Sequence, residues 1–465
     1  MKNESLFSEF PEVSAKQWKQ KIQFDLKGAD YNEALVWESL EGIHVKPFYH
    51  SEDLKSIPTF SLPKNHIWYI GQVIYAHDDV AANKKAIDVL SRGASSLVFT
   101  ITNHLISWNT LFEGIDLKTT PIHLNFEFLN LDFKSKLFEF IGDKNSNIFL
   151  NIDILRDFTR TGNWFHNQEK DHQIVDEIIA LSQNRTGISV LAVDLGLYQN
   201  AGANMVQQLA YGLAHANEYL NYFTNSHPEP VEGSPSITFK VAVGGNYFFE
   251  IAKLKALRWL WKSLITEYDI KADCHIIAVP SKRNKTIYDY NVNMLRTTSE
   301  SMSAVLGGAD TVFNLPYDAL YHKDNEFGER IARNQLLLLK EESYFDEAVH
   351  ASEGTYYLES LTQQLAEKAL DLFKQIEKAG GFLKQLKEGS IQKKIKESAA
   401  KEQMKFDSGE LVLLGTNRYQ NPDDKMKDDL ELYPFIKTEK RKTSIEPVIS
   451  RRLAEGLEQK RLKDE

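Results

Sequence analysis

The stretch Ile188-Ser189-Val190-Leu191-Ala192-Val193-Asp194-Leu195 is followed by a helical pattern over 203–222 and then by Ile237-Thr238-Phe239-Lys240-Val241-Ala242-Val243-Gly244. Two short runs rich in β-branched residues, with an amphipathic stretch of helical length between them, make a parallel βαβ unit. The same alternation extends in both directions. Further β-rich runs lie at 67–75, 96–102, 122–128, 148–154, 274–279 and 311–315, with helical patterns at 80–91, 173–183, 248–268, 292–305 and 330–342. Eight such units in roughly 280 residues predict an α/β fold, a closed (β/α)8 TIM barrel. An open doubly wound sheet is the competitor, and no glycine-rich turn follows the first strand to favour it.

The barrel should occupy residues 66–345, between an arm (1–65) and a helical extension with a charged tail (346–465). In the arm, 15–26 reads as a helix with Trp18, Ile22 and Leu26 on one stripe. Gly28-Ala29-Asp30 breaks it, and a hairpin-like stretch turns at Glu41-Gly42. The Pro- and Gly-rich loop 227–235 should be exposed and mobile. After the barrel a helix is expected over 356–377, a stop at Gly380-Gly381, another helix to about 403 and a short β-run at 410–414. The tail, 437–465, should fray or meet a partner.

A formal charge of −10, from 55 basic and 65 acidic residues in 465, argues against broad nucleic-acid binding. The one cysteine, Cys274, allows no internal disulfide, which fits a reducing compartment. No apolar run at the start or elsewhere suits a signal or a membrane span, so a cytoplasmic protein is expected.

Along 122–128, Leu124, Phe126 and Phe128 share one face, and His123, Asn125 and Glu127 the other. The apolar face should meet the helices, so the polar face should point into the bore. Ser96, Thr100, Thr102, Asn151, Asp153, Asp194, Thr238, Lys240 and Asn314 are further inward candidates. A polar bore must be hydrogen-bonded, hydrated or filled by a ligand. It is either a channel for an elongated polar ligand or an internal network with Lys240 paired to Glu127 or Asp194. Glu127, Asp153 and Asp194 lie near strand C-terminal ends, where barrels place their chemistry, and two of them could serve a glycosidase. Among 13 histidines there is no His-x-His or His-Glu-x-x-His spacing, so no metal site is expected, and no phosphate-binding loop occurs. His123 and His275 read as core or surface residues, Gly307-Gly308-Ala309-Asp310 as a helix C-cap turn and Cys274 as structural.

Several segments together resemble the methylmalonyl-CoA mutase family. Asn291-Val292-Asn293-Met294-Leu295-Arg296-Thr297-Thr298-Ser299-Glu300, running on to Gly307-Gly308-Ala309-Asp310, looks like its helix before strand eight. Glu329-Arg330-Ile331-Ala332-Arg333-Asn334, Glu353-Gly354-Thr355-Tyr356-Tyr357, Asn246-Tyr247-Phe248-Phe249-Glu250-Ile251-Ala252-Lys253, and Gly202-Ala203 with Gln208-Leu209-Ala210 are similar to other segments of it, in the expected order. The resemblance implies departures too. The family's catalytic chain carries a histidine and a glutamine where this one reads Ser281-Lys282-Arg283-Asn284-Lys285-Thr286-Ile287-Tyr288. Its substrate-carboxylate arginine falls in Ser236-Ile237-Thr238-Phe239, and lysine or serine does not replace a bidentate guanidinium. The arm's active-site tyrosine segment is missing as well. Asp273-Cys274-His275 is a chance echo of the cobalt-ligating signature, and the cobalamin-binding domain is expected to be absent.

The opening stretch, Lys27-Gly28-Ala29-Asp30-Tyr31 to Pro47-Phe48-Tyr49, is similar to the family's small, non-catalytic subunit. That resemblance implies no catalytic, cofactor-binding or metal residues in this chain. A catalytic large subunit would bind adenosylcobalamin and methylmalonyl-CoA, with this chain as its structural partner in a heterodimer. His123, Glu127 and Lys240, with Asp153 and Asp194, would line or plug the relic of a coenzyme A channel. Two alternatives remain. A catalytic acyl-CoA mutase with its cobalamin domain on another polypeptide would need the missing arginine and histidine. A standalone barrel hydrolase using Glu127 or Asp153 would be active alone.

Overall fold

Eight parallel strands close into a barrel in a computed structural model that describes residues 9–54, 62–63, 66–142, 145–183, 185–226, 236–270, 272–437 and 441–465. The arm carries α1 (Ala15–Asp25), α2 (Tyr31–Leu35) and an antiparallel pair, β1 (Trp37–Glu38) and β2 (His44–Val45). The barrel follows as β3 (Tyr69–Ala76), α3 (Asp79–Ser91), β4 (Ser96–Ile101), α4 (Trp108–Leu111), β5 (Ile122–Phe126), α5 (Leu131–Ile141) and β6 (Ile148–Ile152). It continues with α6 (Ile154–Thr161), α7 (Gln168–Ser182), β7 (Ile188–Asp194), α8 (Leu195–Asn200), α9 (Met205–Ser226), β8 (Ile237–Val243) and α10 (Tyr247–Glu267). Last come β9 (His275–Pro280), α11 (Val292–Leu306), β10 (Thr311–Val312) and α12 (Glu326–Leu337). Strand β10 pairs with both β9 and β3, which leaves no open edge.

Period-two alternation sets the two faces of each strand. Leu97, Phe99 and Ile101 of β4 and Leu124 of β5 are buried outward against the helices. Polar residues at strand ends, or in the loop just after one, become helix N-caps: Asn130 for α5, Asp153 for α6 and Asp194 for α8. Each side chain accepts a backbone N–H that the first helical turn would leave unpaired. At the end of α11, Gly308 takes a φ of +85° in the turn that returns the chain to β10. This is the expected C-cap geometry, which a β-carbon would disfavour.

The extension is α13 (Tyr356–Lys378), α14 (Phe382–Lys387), α15 (Ser390–Asp407) and α16 (Glu455–Asp464). Helix α13 packs along α9 and α10 and buries Leu358, Leu361 and Leu365 there, continuing the outer layer of the barrel. Four local expectations change. The helix expected to about 403 is two helices, because Gly389 takes a φ of +78° between α14 and α15. Residues 410–414 form no strand, only an isolated bridge from Leu414 to Arg418. The 148–154 run stops at Ile152, since Asp153 caps a helix that begins at Ile154. In the described part of the tail, Leu453, Ala454 and Glu458 are buried, so it folds back on its own barrel. The 227–235 loop lies outside the described residues.

Candidate functional site

The inward faces form two layers across the bore. In the lower one, His123 of β5 stacks on Phe149 of β6 with ring centroids 4.4 Å apart. His275 of β9 closes the set at 5.0 Å from His123 and 4.3 Å from Phe149. Its Nε2 lies 3.0 Å from Thr311 Oγ1, whereas among the described residues neither ring nitrogen of His123 has a hydrogen-bond partner. Burial, with His275 and Lys240 nearby, holds the His123 imidazole well below its usual pKa. Burial pulls His275 down to about 4, against the opposing charge of Asp310. Both rings are therefore neutral at pH 7. The three rings form an aromatic floor across the bore.

Above it, toward the strand C-termini, lies a cavity of about 340 Å3. Thr100, Asn125, Asn151, Asp194 and Lys240 line it with Ile277, Val279 and Phe313. Gly71 makes room for Phe313, because a β-carbon there would come within 2.7 Å of its ring. Lys240 Nζ donates to Asn125 Oδ1, which also accepts from Asn151 Nδ2 at 3.2 Å. Asp194 faces Lys240 across the β7–β8 register, but its nearest ion-pair partner is Arg156, whose Nε lies 3.3 Å away.

The five sequence candidates thus separate. His123 lies in the floor, and Lys240 and Asp194 line the cavity. Lys240 pairs with an amide rather than with Glu127 or Asp194. Glu127 is exposed at the mouth, where it accepts from Tyr75 Oη at 3.3 Å, and so plugs nothing. The Asp153 carboxylate turns out of the bore toward α9. His215 Nε2 lies 2.8 Å from its Oδ1, to which Tyr219 Oη donates at 3.0 Å, and the Asp194 N–H donates to its Oδ2 at 3.0 Å. Burial alone would raise this carboxyl, but His215 and the donated hydrogen bonds hold it below the usual range. Asn314, expected inward, instead donates to Ala332 O and Gln335 Oε1 on α12.

A third group escaped the sequence reading. The segment 281–288 after β9 is filled with internal ties. Lys285 Nζ lies 2.7 Å from Glu300 Oε2 of α11, both fully buried, and also donates to Ser281 O. Burial lowers the lysine and raises the glutamate, each opposed by the other's charge. Arg283 pairs with Glu402 of α15 at 2.5 Å, and the Ile287 N–H donates to Glu458 of α16. Arg452 pairs with the same Glu458 at 2.6 Å. The partners are over 100 residues apart in sequence for Arg283 and Ile287, so no local pattern marks them. Beside this segment, a cavity of about 460 Å3 lies between Trp37, Leu40 and Glu41 of the arm, the glycines Gly244-Gly245 and α15. Burial raises the Glu41 carboxyl.

The His275 ring stands in the floor stack with Nε2 3.0 Å from Thr311 Oγ1. Among the described residues no group of three or more His, Cys, Asp or Glu could hold a metal, and no helix is long and apolar enough to cross a membrane. Cys274 is buried, and burial raises its thiol to about 12, which suits a packing role.

Comparison with known proteins agrees with this architecture. Residues 100–462 match the family described as methylmalonyl-CoA mutase. A methylmalonyl-CoA mutase small subunit of Porphyromonas gingivalis is 36% identical over 90% of this chain and 71% of its own length. A methylmalonyl-CoA mutase of Cereibacter sphaeroides is 28% identical over 87% of this chain, and a large subunit of Streptomyces virginiae 25% over 91%. The match spans 64% of the length of each of these two. On the ordered motifs, the barrel and these matches, the chain belongs to the methylmalonyl-CoA mutase family.

Proposed function

We propose that this chain is the small, non-catalytic subunit of an adenosylcobalamin-dependent methylmalonyl-CoA mutase, and that it acts by holding a catalytic large subunit in a heterodimer. The holoenzyme would interconvert methylmalonyl-CoA and succinyl-CoA, in the cytoplasm. The large subunit would bind both cofactor and substrate. The observation that supports this reading is the His123–Phe149–His275 stack, which lies across the bore on the line an acyl-CoA arm would take through the barrel. The segment at which the family resemblance places the catalytic histidine and glutamine supports it, because Lys285 and Arg283 there are committed to Glu300 and Glu402. Charged groups already paired in the ground state have little left to offer a transition state.

The test is mutase turnover with adenosylcobalamin and methylmalonyl-CoA, on this chain alone, on a catalytic chain alone and on the two mixed. Activity only where the catalytic chain is present, raised or stabilised by this one, is expected. The isolated chain should also carry no cobalamin absorbance through purification. Turnover by this chain alone would overturn the proposal.

A further inference from the structure

The cavity above the aromatic floor holds one amine and one unsatisfied acceptor. Lys240 Nζ projects into it and, among the described residues, has no carboxylate oxygen within 4.0 Å; it donates to the Asn125 amide instead. Asn151 is 7% exposed, and among the described residues its Oδ1 has no hydrogen-bond partner. Asn151 also takes a φ of +45°, at an irregularity in the β6–β7 pairing between Phe149 and Ile152. That conformation is uncommon for a residue with a β-carbon. A buried acceptor without a donor costs free energy that a ligand hydroxyl would recover.

We propose that Lys240 is a carbonyl-capturing amine, which forms an imine with a short hydroxy-aldehyde or hydroxy-ketone whose hydroxyl donates to Asn151 Oδ1. The site stands where barrels assemble reactive groups, at the C-terminal end of the strands. About 340 Å3 accommodates a molecule of a few carbons beside the apolar wall of Ile277, Val279 and Phe313. An imine needs a neutral amine. Burial brings Lys240 down to about 8; Asp194 opposes that shift and Arg156 adds to it, with smaller upward pulls from Asp153 and Asp157. An uncharged fraction is thus present at neutral pH, as for other desolvated lysines.

In the step, the nitrogen lone pair bonds to the carbonyl carbon as the C–O π bond breaks. The two amine protons pass to the oxygen, which departs as water when the C=N bond forms. No electrons are gained or lost. Asp194 and Glu127 line the same cavity, and with no carboxylate oxygen within 4.0 Å of Lys240 Nζ among the described residues the protons pass through solvent water.

The experiment treats the full chain, alone and mixed with a catalytic large subunit, with dihydroxyacetone and sodium cyanoborohydride, and maps the reduced adduct by peptide mass spectrometry. It requires no mutase turnover, so its outcome is independent of the subunit assignment. Saturable labelling is expected at Lys240, about tenfold faster than at the exposed Lys16 and Lys136. Asn151→Gly suits the positive φ and removes the acceptor. It should slow labelling at Lys240 several-fold and leave Lys16 unchanged. Labelling of Lys240 no faster than Lys16 in the unaltered protein would overturn the proposal, and equal labelling in Asn151→Gly would remove Asn151 from it.

Discussion

His123 and Asp153 show how the same kind of sequence signal, a polar residue on a strand, leads to opposite energetics. His123 is fully buried with both nitrogens unpartnered, so replacing it with an apolar ring removes a desolvation cost and keeps the stack on Phe149. His123→Phe should raise the melting temperature at pH 7. The histidine pair also sets an acid limit. The folded pKa of His275, about 4, lies below the usual 6.5, so below pH 6.5 the unfolded chain takes up a proton that the folded chain refuses. Stability contributed by the neutral rings should therefore fall as pH drops from about 6.5 toward about 4, and the slope should lessen in His123→Phe. Asp153 is the reverse case. Asp153→Ala strips His215 and Tyr219 of a buried partner, at a cost of about 3–5 kcal/mol in urea denaturation. Glu127→Ala, at an exposed position, should leave the urea midpoint unchanged. The sequence presented Glu127 and Asp153 as equivalent carboxylates near strand ends. Only the approach of α9, whose His215 and Tyr219 reach the Asp153 carboxylate, separates them.

Between elements, the ion pairs behind β9 decide how the mouth of the barrel is built. Lys285 and Glu300 are at 1% and 0% side-chain exposure, where the Coulomb attraction barely offsets the desolvation of both ions. Removing one partner is then worse than removing both. Glu300→Leu should destabilise by about 3–5 kcal/mol, and adding Lys285→Met should restore most of the loss. A double variant no better than the single would show that the pair acts through other contacts. Element order and type were legible from the 2.0 and 3.6 periodicities, because helix and strand faces must match one core. The places where the reading slipped are local. Gly389 divides a helix whose apolar pattern continues across it, and 410–414 has β-forming residues but no neighbouring strand with which to pair.

Across the molecule, the barrel and its C-terminal extension share contacts that two separate domains would lack. Arg283 reaches Glu402, Ile287 reaches Glu458, and Arg452 donates to Lys285 O. Helix α13 completes the outer layer over α9 and α10. We propose one cooperative unit over the barrel (66–345) and extension (346–465), so calorimetry of the full chain should give a single transition; two would mark the extension as an independent domain. The sequence by itself determined the (β/α)8 class and the family, because alternation and ordered motifs are properties of neighbouring residues. Only the tertiary structure decided that three rings stack across the bore, that Asp153 serves α9, and that the tail folds back through Glu458. Those outcomes depend on which side chains meet across the barrel and between residues far apart in sequence, where desolvation and pairing are settled by three-dimensional proximity alone.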